Sequence, residues 1–394
     1  MNQPVHHHSL PAHVSRRTFL GAASAAAASA ATVQAATRPA AGLFSGAGWL
    51  RVGVIGCGGR GTGAAVQAAA AAADVMITAL GDLFADQLAE SAGLLERAVG
   101  PQFDCPAERQ FSGSDAWRRV LASDVDLVIL AAPPATRPAH LAAAVRAGKH
   151  VYCEKPAAID GRGLTTVLAA CAEARGRGLS LGSGLYLRHD LETRGIVGRI
   201  HDGAIGDLRH VAVHASIGLP WQRPGQPGWS HREWRMRNWI AAPELSGGSF
   251  VEHHIHAVDK ALWTMGDACP LVALPCAIVE PAGSLGMNGT SVVYRFADGR
   301  TIAASLDRRA GNASRIDEFA RGSHGTTALR PRAAAGRPSP HAAAMRALVA
   351  AVLAGERRDD MPSLCRSTQA AIMGRMAAEA GRPVGWPDVL GPLA

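Results

Sequence analysis

Leu50-Arg51-Val52-Gly53-Val54-Ile55-Gly56-Cys57-Gly58-Gly59-Arg60-Gly61 is the stretch that decides the fold. Its first half is a short run of strand formers, its second half is mostly glycine, and a helix-forming segment, Thr62 to Ala73, follows. Strand, glycine turn and helix in that order are the setting of a dinucleotide-binding loop. Glycine lets the backbone approach a pyrophosphate, and the helix N-terminus presents unsatisfied N–H groups to it. Gly56, Gly58, Gly59, Arg60 and Gly61 are therefore candidate cofactor contacts. A second strand, Val75 to Leu80, runs on to Asp82, 21 positions after Gly61. A carboxylate there accepts hydrogen bonds from both ribose hydroxyls and repels a 2′-phosphate. Leu83, Phe84, Ala85 and Asp86 bring no Arg or Lys, so the pattern favours NAD over NADP.

Outward from this unit the alternation continues. Ser114–Ala122 reads as a helix, Val125–Ala132 as a buried strand, Thr136–Ala147 as a helix stopped by Gly148, and His150–Cys153 as a strand. Gly161–Arg177 is a further helix and Leu179–Gly182 a further strand. Such alternation is that of a doubly wound parallel sheet, the Rossmann arrangement.

Upstream, Ser15-Arg16-Arg17-Thr18-Phe19-Leu20, the weakly apolar run Gly21–Val33 and the small-residue site Val33-Gln34-Ala35 follow the order of a twin-arginine leader. The expectation is a signal peptide over 1–35, a linker over 36–48, passage through the twin-arginine export machinery, and a periplasmic or secreted location. The run is too short and mild to cross a bilayer, so no stable membrane insertion is expected. His6-His7-His8 lies upstream of the cut and receives no role.

The chain has 394 residues, 18% of them charged, and a net charge of +8. No basic run with interleaved aromatics exists, so nucleic-acid binding has no support. Seven cysteines without a C-x-x-C pair indicate neither a disulfide framework nor a zinc knuckle, although Cys269 and Cys276 could pair. Cys57, Cys153 and Cys171 read as packed thiols.

Ala147-Gly148-Lys149-His150-Val151-Tyr152-Cys153-Glu154-Lys155-Pro156 resembles the Gfo/Idh/MocA family, named for glucose–fructose oxidoreductase and inositol dehydrogenase. Val125–Ile129 with Pro133-Pro134 is similar to the family's strand and loop beside the nicotinamide. Many members carry His after that loop; here the position is Arg137. Leu185–His189, His201–Asp207, Ser246–Asp259, Gly374-Arg375 and Val384–Trp386 resemble an exported branch of the family. The resemblance implies a Rossmann domain over 49–186 and a substrate-binding and oligomerisation α+β domain over 187–394. That second domain would carry a large, mostly antiparallel open sheet, with helices in 341–380 packing back. Its strands would include Leu208–Ile217, Ala273–Val279, Ser291–Phe296 and Thr301–Leu306. A homodimer or homotetramer would follow from the open sheet face.

The resemblance also implies roles. Lys155, a compact cation at the end of a sheet strand, would contact substrate hydroxyl and nicotinamide, with Pro133 and Glu154 beside the cofactor. On one helix, Glu252, His256 and Asp259 stand at i, i+4 and i+7, sharing a face. His256 matches the family's catalytic His and has the right natural pKa to accept a hydroxyl proton. Glu252 stands where inositol dehydrogenases have Asp, so its longer reach suggests a different substrate. Asp259 would orient the helix or His256, and Arg188, His253, Asp259 and Trp239 are candidate substrate contacts. The Glu252-His253-His254-x-His256 cluster also has helical spacings that could bind zinc, but no third ligand is evident and no metal is expected. Trp221, Trp229, Trp234 and Trp239 could stack on sugar faces or anchor a core, and Pro220–Gly228 reads as a loop that could serve as a lid. The reading is an exported NAD-dependent oxidoreductase of a sugar, polyol or sugar derivative with a tightly held cofactor. The alternative is a redox-neutral glycosidase, lyase or epimerase that works through a transient keto-sugar.

Overall fold

The computed structural model describes residues 48–277, 289–308, 310–311, 314–331 and 338–391. The leader, the linker up to residue 47, and Ile278 and Val279 of one expected strand lie outside them.

The first domain opens with β1 (Leu50–Ile55), α1 (Gly59–Ala69), β2 (Val75–Asp82) and α2 (Ala85–Val99). It continues through β3 (Gln110–Ser112), α3 (Ala116–Ala122), β4 (Leu127–Leu130), α4 (Arg137–Arg146), β5 (His150–Cys153), α5 (Gly161–Gly176) and β6 (Leu181–Ser183). The six strands pair in the order β3-β2-β1-β4-β5-β6, every pair parallel. The order reverses between β1 and β4, so a crevice opens at the carboxyl ends of these two strands, where doubly wound sheets take ligands. Both faces of the sheet are covered, which is why its strands are near-continuous runs of Val, Ile and Leu.

The second domain begins with α6 (Leu191–His201) and β7 (Leu208–Ile217). A helical group follows: α7 (His231–Arg237), α8 (Pro243–Ser246), α9 (Gly248–Glu252) and α10 (Ile255–Thr264). Then come β8 (Val272–Ala277), β9 (Gly289–Arg295), β10 (Thr301–Arg308), β11 (Arg315–Gly322) and β12 (Thr326–Ala328). α11 (Pro340–Leu353), α12 (Met361–Ala380) and β13 (Val384–Gly385) complete the chain. The sheet order is β12-β11-β7-β10-β9-β8-β13, antiparallel except for the central β7–β10 pair. Alternation of buried and half-buried residues along β10, and along β7 from His210 onward, shows one face packed on helices and one left open.

The single helix expected to carry Glu252, His256 and Asp259 is two helices. His253 and His254 both direct their N–H groups to the Ser249 carbonyl, at 2.9 and 3.2 Å, which interrupts the regular ladder between α9 and α10. Backbone dihedrals stay right-handed through the break, so the three side chains are still displayed in sequence along one path.

The two domains are pinned by the C-terminal helices. Met345, Leu348, Val349 and Val352 of α11 pack into the nucleotide-domain core with β1, β2 and α1. α12 spans both cores: Met361, Leu364 and Cys365 lie among first-domain residues, and Ala370 to Ala378 among second-domain residues. Leu348 is fully buried and fills the space beside Gly182. Leu348→Ala should therefore destabilise the nucleotide domain by about 2–5 kcal/mol, read as a lowered midpoint in urea denaturation.

Candidate active site

The glycine turn is shaped for close approach. Gly56 has φ +94°, and a Cβ there would lie 2.4 Å from the Ala132 amide nitrogen of the neighbouring β4 loop. A Cβ on Gly61 would lie 1.9 Å from the Gly56 carbonyl oxygen. Gly58 and Gly59 have open space where a side chain would sit, at the N-terminus of α1. That combination leaves N–H groups at the start of the helix facing open space that a pyrophosphate could approach. Asp82 closes the cradle's far end. Its carboxylate accepts the amides of Cys57 (2.7 Å) and Phe84 (2.9 Å), and burial pushes its pKa up against those two bonds. These residues fit a nicotinamide dinucleotide: the loop takes phosphates and Asp82 retains lone pairs for ribose hydroxyls.

At the carboxyl end of β5, Lys155 reaches across the domain boundary. Its ammonium donates to the Glu252 carboxylate at 2.6 Å and to the Glu252 backbone carbonyl at 2.7 Å. That carbonyl belongs to the last turn of α9, where helical carbonyls go without intrahelical partners. Burial alone would raise the Glu252 pKa, but Lys155 outweighs it and holds the carboxyl below its usual range. His256 stands one turn on. Burial, then the charges of Lys155, His253, His341 and Lys260, push its pKa well down, so the ring is neutral at neutral pH. Its Nδ1 is buried and has no hydrogen-bond partner among the described residues. Tyr186 meets the His256 ring edge-on at 4.8 Å between centroids, and His341 of α11 stacks on the other side of Tyr186 at 3.9 Å.

Residues 50–183 match the family model described as the oxidoreductase family with an NAD-binding Rossmann fold. The chain thus has an NAD-binding Rossmann domain of the Gfo/Idh/MocA oxidoreductase type as its first domain. It is 30% identical over 169 residues to a 1,5-anhydro-D-fructose reductase of Ensifer adhaerens, spanning 43% of this chain and 44% of that one. It is 33% identical over 159 residues to a glycosyl hydrolase family 109 protein of Streptomyces coelicolor, spanning 40% and 32%. The matched region is thus less than half the length of either curated relative. A scyllo-inositol dehydrogenase from Lactobacillus casei with bound NAD(H) and scyllo-inositol shares the fold, with TM-score 0.66 at 17% identity over 86% of this chain and all of that one.

Other expected site residues are placed differently. Arg188 and Asp259 satisfy each other. The guanidinium donates to Asp259 at 2.8–3.1 Å and to Asp267 at 2.7–3.0 Å, and Ser367 of α12 donates to Asp259 at 2.7 Å. Burial opposes the Arg188 charge, but the two carboxylates outweigh it and raise its pKa. With Asp259 only 1% exposed, this placement makes it a support of the site rather than a surface of it. Glu154 is buried, pairs with Arg60 at 3.2 Å and accepts the Lys155 amide at 3.1 Å, so it ties the glycine turn to the Lys155 loop. Arg137 is buried too; it donates to the carbonyls of Pro156 and, at 2.7 Å, Ala132, which staples the loop containing Pro133 to the one containing Lys155. His253 is exposed, whereas His254 is buried against Phe250, its pKa lowered to about 3 by burial. Trp239 meets Trp221 edge-on at 6.4 Å, in a turn packed on α9. Among the described residues no three His, Cys, Asp or Glu side chains converge as a metal site. Cys269 and Cys276 are both exposed and unpaired.

Tyr186 lies in the Leu185–His189 segment but received no role from the sequence, and only the return of α11 brings His341 to it. Removing one partner of a buried ion pair leaves the other uncompensated, so Asp259→Ala should cost about 3–5 kcal/mol of stability, measured by urea unfolding. A residue that only touched substrate would raise KM and leave that midpoint in place.

Proposed function

We propose that the chain is an exported NAD-dependent oxidoreductase that oxidises a hydroxyl carbon of a sugar, polyol or sugar derivative. The observation that carries this reading is Lys155 held between the two domains by Glu252, next to a neutral His256, at the carboxyl edge of the nucleotide sheet. The dinucleotide, when bound, supplies the hydride acceptor. The rest falls to the chain. An ammonium has three N–H donors; Glu252 engages two, leaving one for the substrate oxygen. There Lys155 stabilises the alkoxide that develops as the proton leaves, and the low dielectric of a buried site strengthens that interaction. His256, neutral and with an unpartnered ring nitrogen, takes the proton. Glu252 fixes Lys155 in place and balances its charge, so the site does not bind anions indiscriminately.

The leader motif supports export in the folded state. The seven cysteines are unpaired, which suits folding in a reducing compartment beforehand. An NAD-dependent protein outside the cytoplasm must carry its cofactor along and regenerate it on site. The half-buried outer face of β7 and β10, with His210 bonded to Thr301 at 2.8 Å and His214 to Ser305 at 2.6 Å, supports assembly as a homodimer or homotetramer. The likeness to a glycosyl hydrolase family 109 protein favours a second reading, in which the ketone made at one carbon acidifies its neighbour, a group is eliminated, and the cofactor is reset within the cycle.

A panel of polyols, sugars and aryl glycosides offered to the purified protein separates the two. Net NADH or keto-sugar supports oxidation, and aglycone release without net reduction supports the redox-neutral cycle. Turnover of none of these, with NAD bound, overturns both. His256→Ala should lower kcat/KM by about 10²- to 10⁴-fold while bound dinucleotide is retained. Because the base works when neutral and its pKa lies below the ordinary histidine value, kcat/KM should hold level as pH falls through 6.5 and decline only at lower pH. An acid limb centred at or above pH 6.5 would remove His256 from that role.

A further inference from the structure

The segment between β7 and α8 crosses from the second domain to the nucleotide domain and fastens there at two points. Arg237, at the end of α7, lies with its guanidinium carbon 3.9 Å over the Phe84 ring and 4.4 Å over the Trp229 ring. The same guanidinium donates to both Asp86 oxygens, at 2.9 and 3.1 Å, and to Glu233 at 2.9 Å. Sandwiched in this way, the Arg237 side chain is only 8% exposed although Asp86 is largely in solvent. The second fastening is Arg223 to the Gln87 side chain at 2.9 Å. Asn238 closes the segment on itself, accepting the Arg223 amide at 2.6 Å and donating to its carbonyl at 3.2 Å, while the Trp234 indole donates to that carbonyl at 3.1 Å. Between these anchors Pro224–Gly228 is exposed and has no regular structure.

Both fastenings fall on Phe84–Gln87, directly after the carboxylate that closes the dinucleotide cradle. The connection is covalent and short: the Phe84 amide that holds Asp82 belongs to the residue on which Arg237 stacks, and Asp82 holds the Cys57 amide of the glycine turn. In a doubly wound sheet the adenosine half of a dinucleotide lies over this end of β2. We propose that residues 219–238 form a strap across the adenosine end of the site, and that dinucleotide leaves only when Arg237 lets go of Phe84 and Asp86. This rests on the reading that the chain carries NAD, and it names the device that keeps it. It also gives the second domain a share in the cofactor site remote from Lys155 and Glu252. Since Asp86 and Glu233 balance the Arg237 charge, the strap does not turn the site toward a 2′-phosphate.

The test is the rate at which bound NADH leaves the purified full-length protein, followed by its fluorescence on dilution into excess NAD. Arg237→Ala and, independently, Arg223→Ala should each release NADH about tenfold faster or more, since such changes act on dissociation more than association. Protease cleavage within 222–228 should quicken in both variants and slow again when NADH is added to the wild type. Thermal melting of the dinucleotide-free variants checks that the fold is kept, and if Arg237→Ala fails to fold, Arg223→Ala and the protease rates decide. Equal release from wild type and variants overturns the strap and leaves the cofactor reading standing. A wild-type protein that neither carries nor binds NAD(H) overturns the cofactor reading itself.

Discussion

One ion pair holds the candidate active site together: Lys155 of the nucleotide domain against Glu252 of the second domain, 97 residues apart in sequence. Two charges taken out of water are costly unless each is matched, and here the match is made only when both domains are docked. The surrounding contacts serve that requirement. Glu154 and Arg137 fix the loop that carries Lys155 from one side. The ladder break after α9 fixes Glu252 from the other and leaves its carbonyl for the ammonium. α12 then bolts the domains by placing its first turns in one core and its later turns in the other, and its Thr368 hydroxyl receives the Ala157 amide at 3.1 Å, two residues beyond the cis Lys155–Pro156 bond.

Electrostatics around this pair sort the histidines by environment rather than by type. Burial keeps His254, His256 and His341 neutral; Lys155 adds to it at His256 and His341, and the neighbouring His253 and His214 add to it at His254. A dense run of histidines therefore yields one candidate base, one packed ring and one exposed ring. Tyr186 packs edge-on against the His256 ring, and His341 stacks on Tyr186 in turn.

The glycine turn, Asp82 and the Glu154-Lys155-Pro156 loop were legible in the sequence because each is a contiguous motif, even though Glu154 and Lys155 find their partners far away, at Arg60 and Glu252. The expected strands of the second domain were legible from their alternation; Leu208–Ile217 is matched to the residue. Less of the site was legible where partners are remote. Spacing grouped Asp259 with His256, but spacing cannot tell a side chain that faces substrate from one consumed by Arg188 and Ser367. The break at His253 and His254 was hidden because it leaves the helical dihedrals, and hence the i, i+4 pattern, intact. Arg237 is the clearest case: no basic residue follows Asp82 in sequence, yet the structure brings one there from 155 positions away, already neutralised.

The return of α11 to the first domain has a consequence for how the molecule is made. β1 and α1 are synthesised early, but the apolar surface they expose is covered by residues near the end of the chain. The nucleotide domain cannot complete its core as it emerges from the ribosome; it waits for Met345 and Leu348, nearly three hundred residues later. Synthesis and folding are thereby separated in time, and the half-built sheet must be shielded until the last helices arrive.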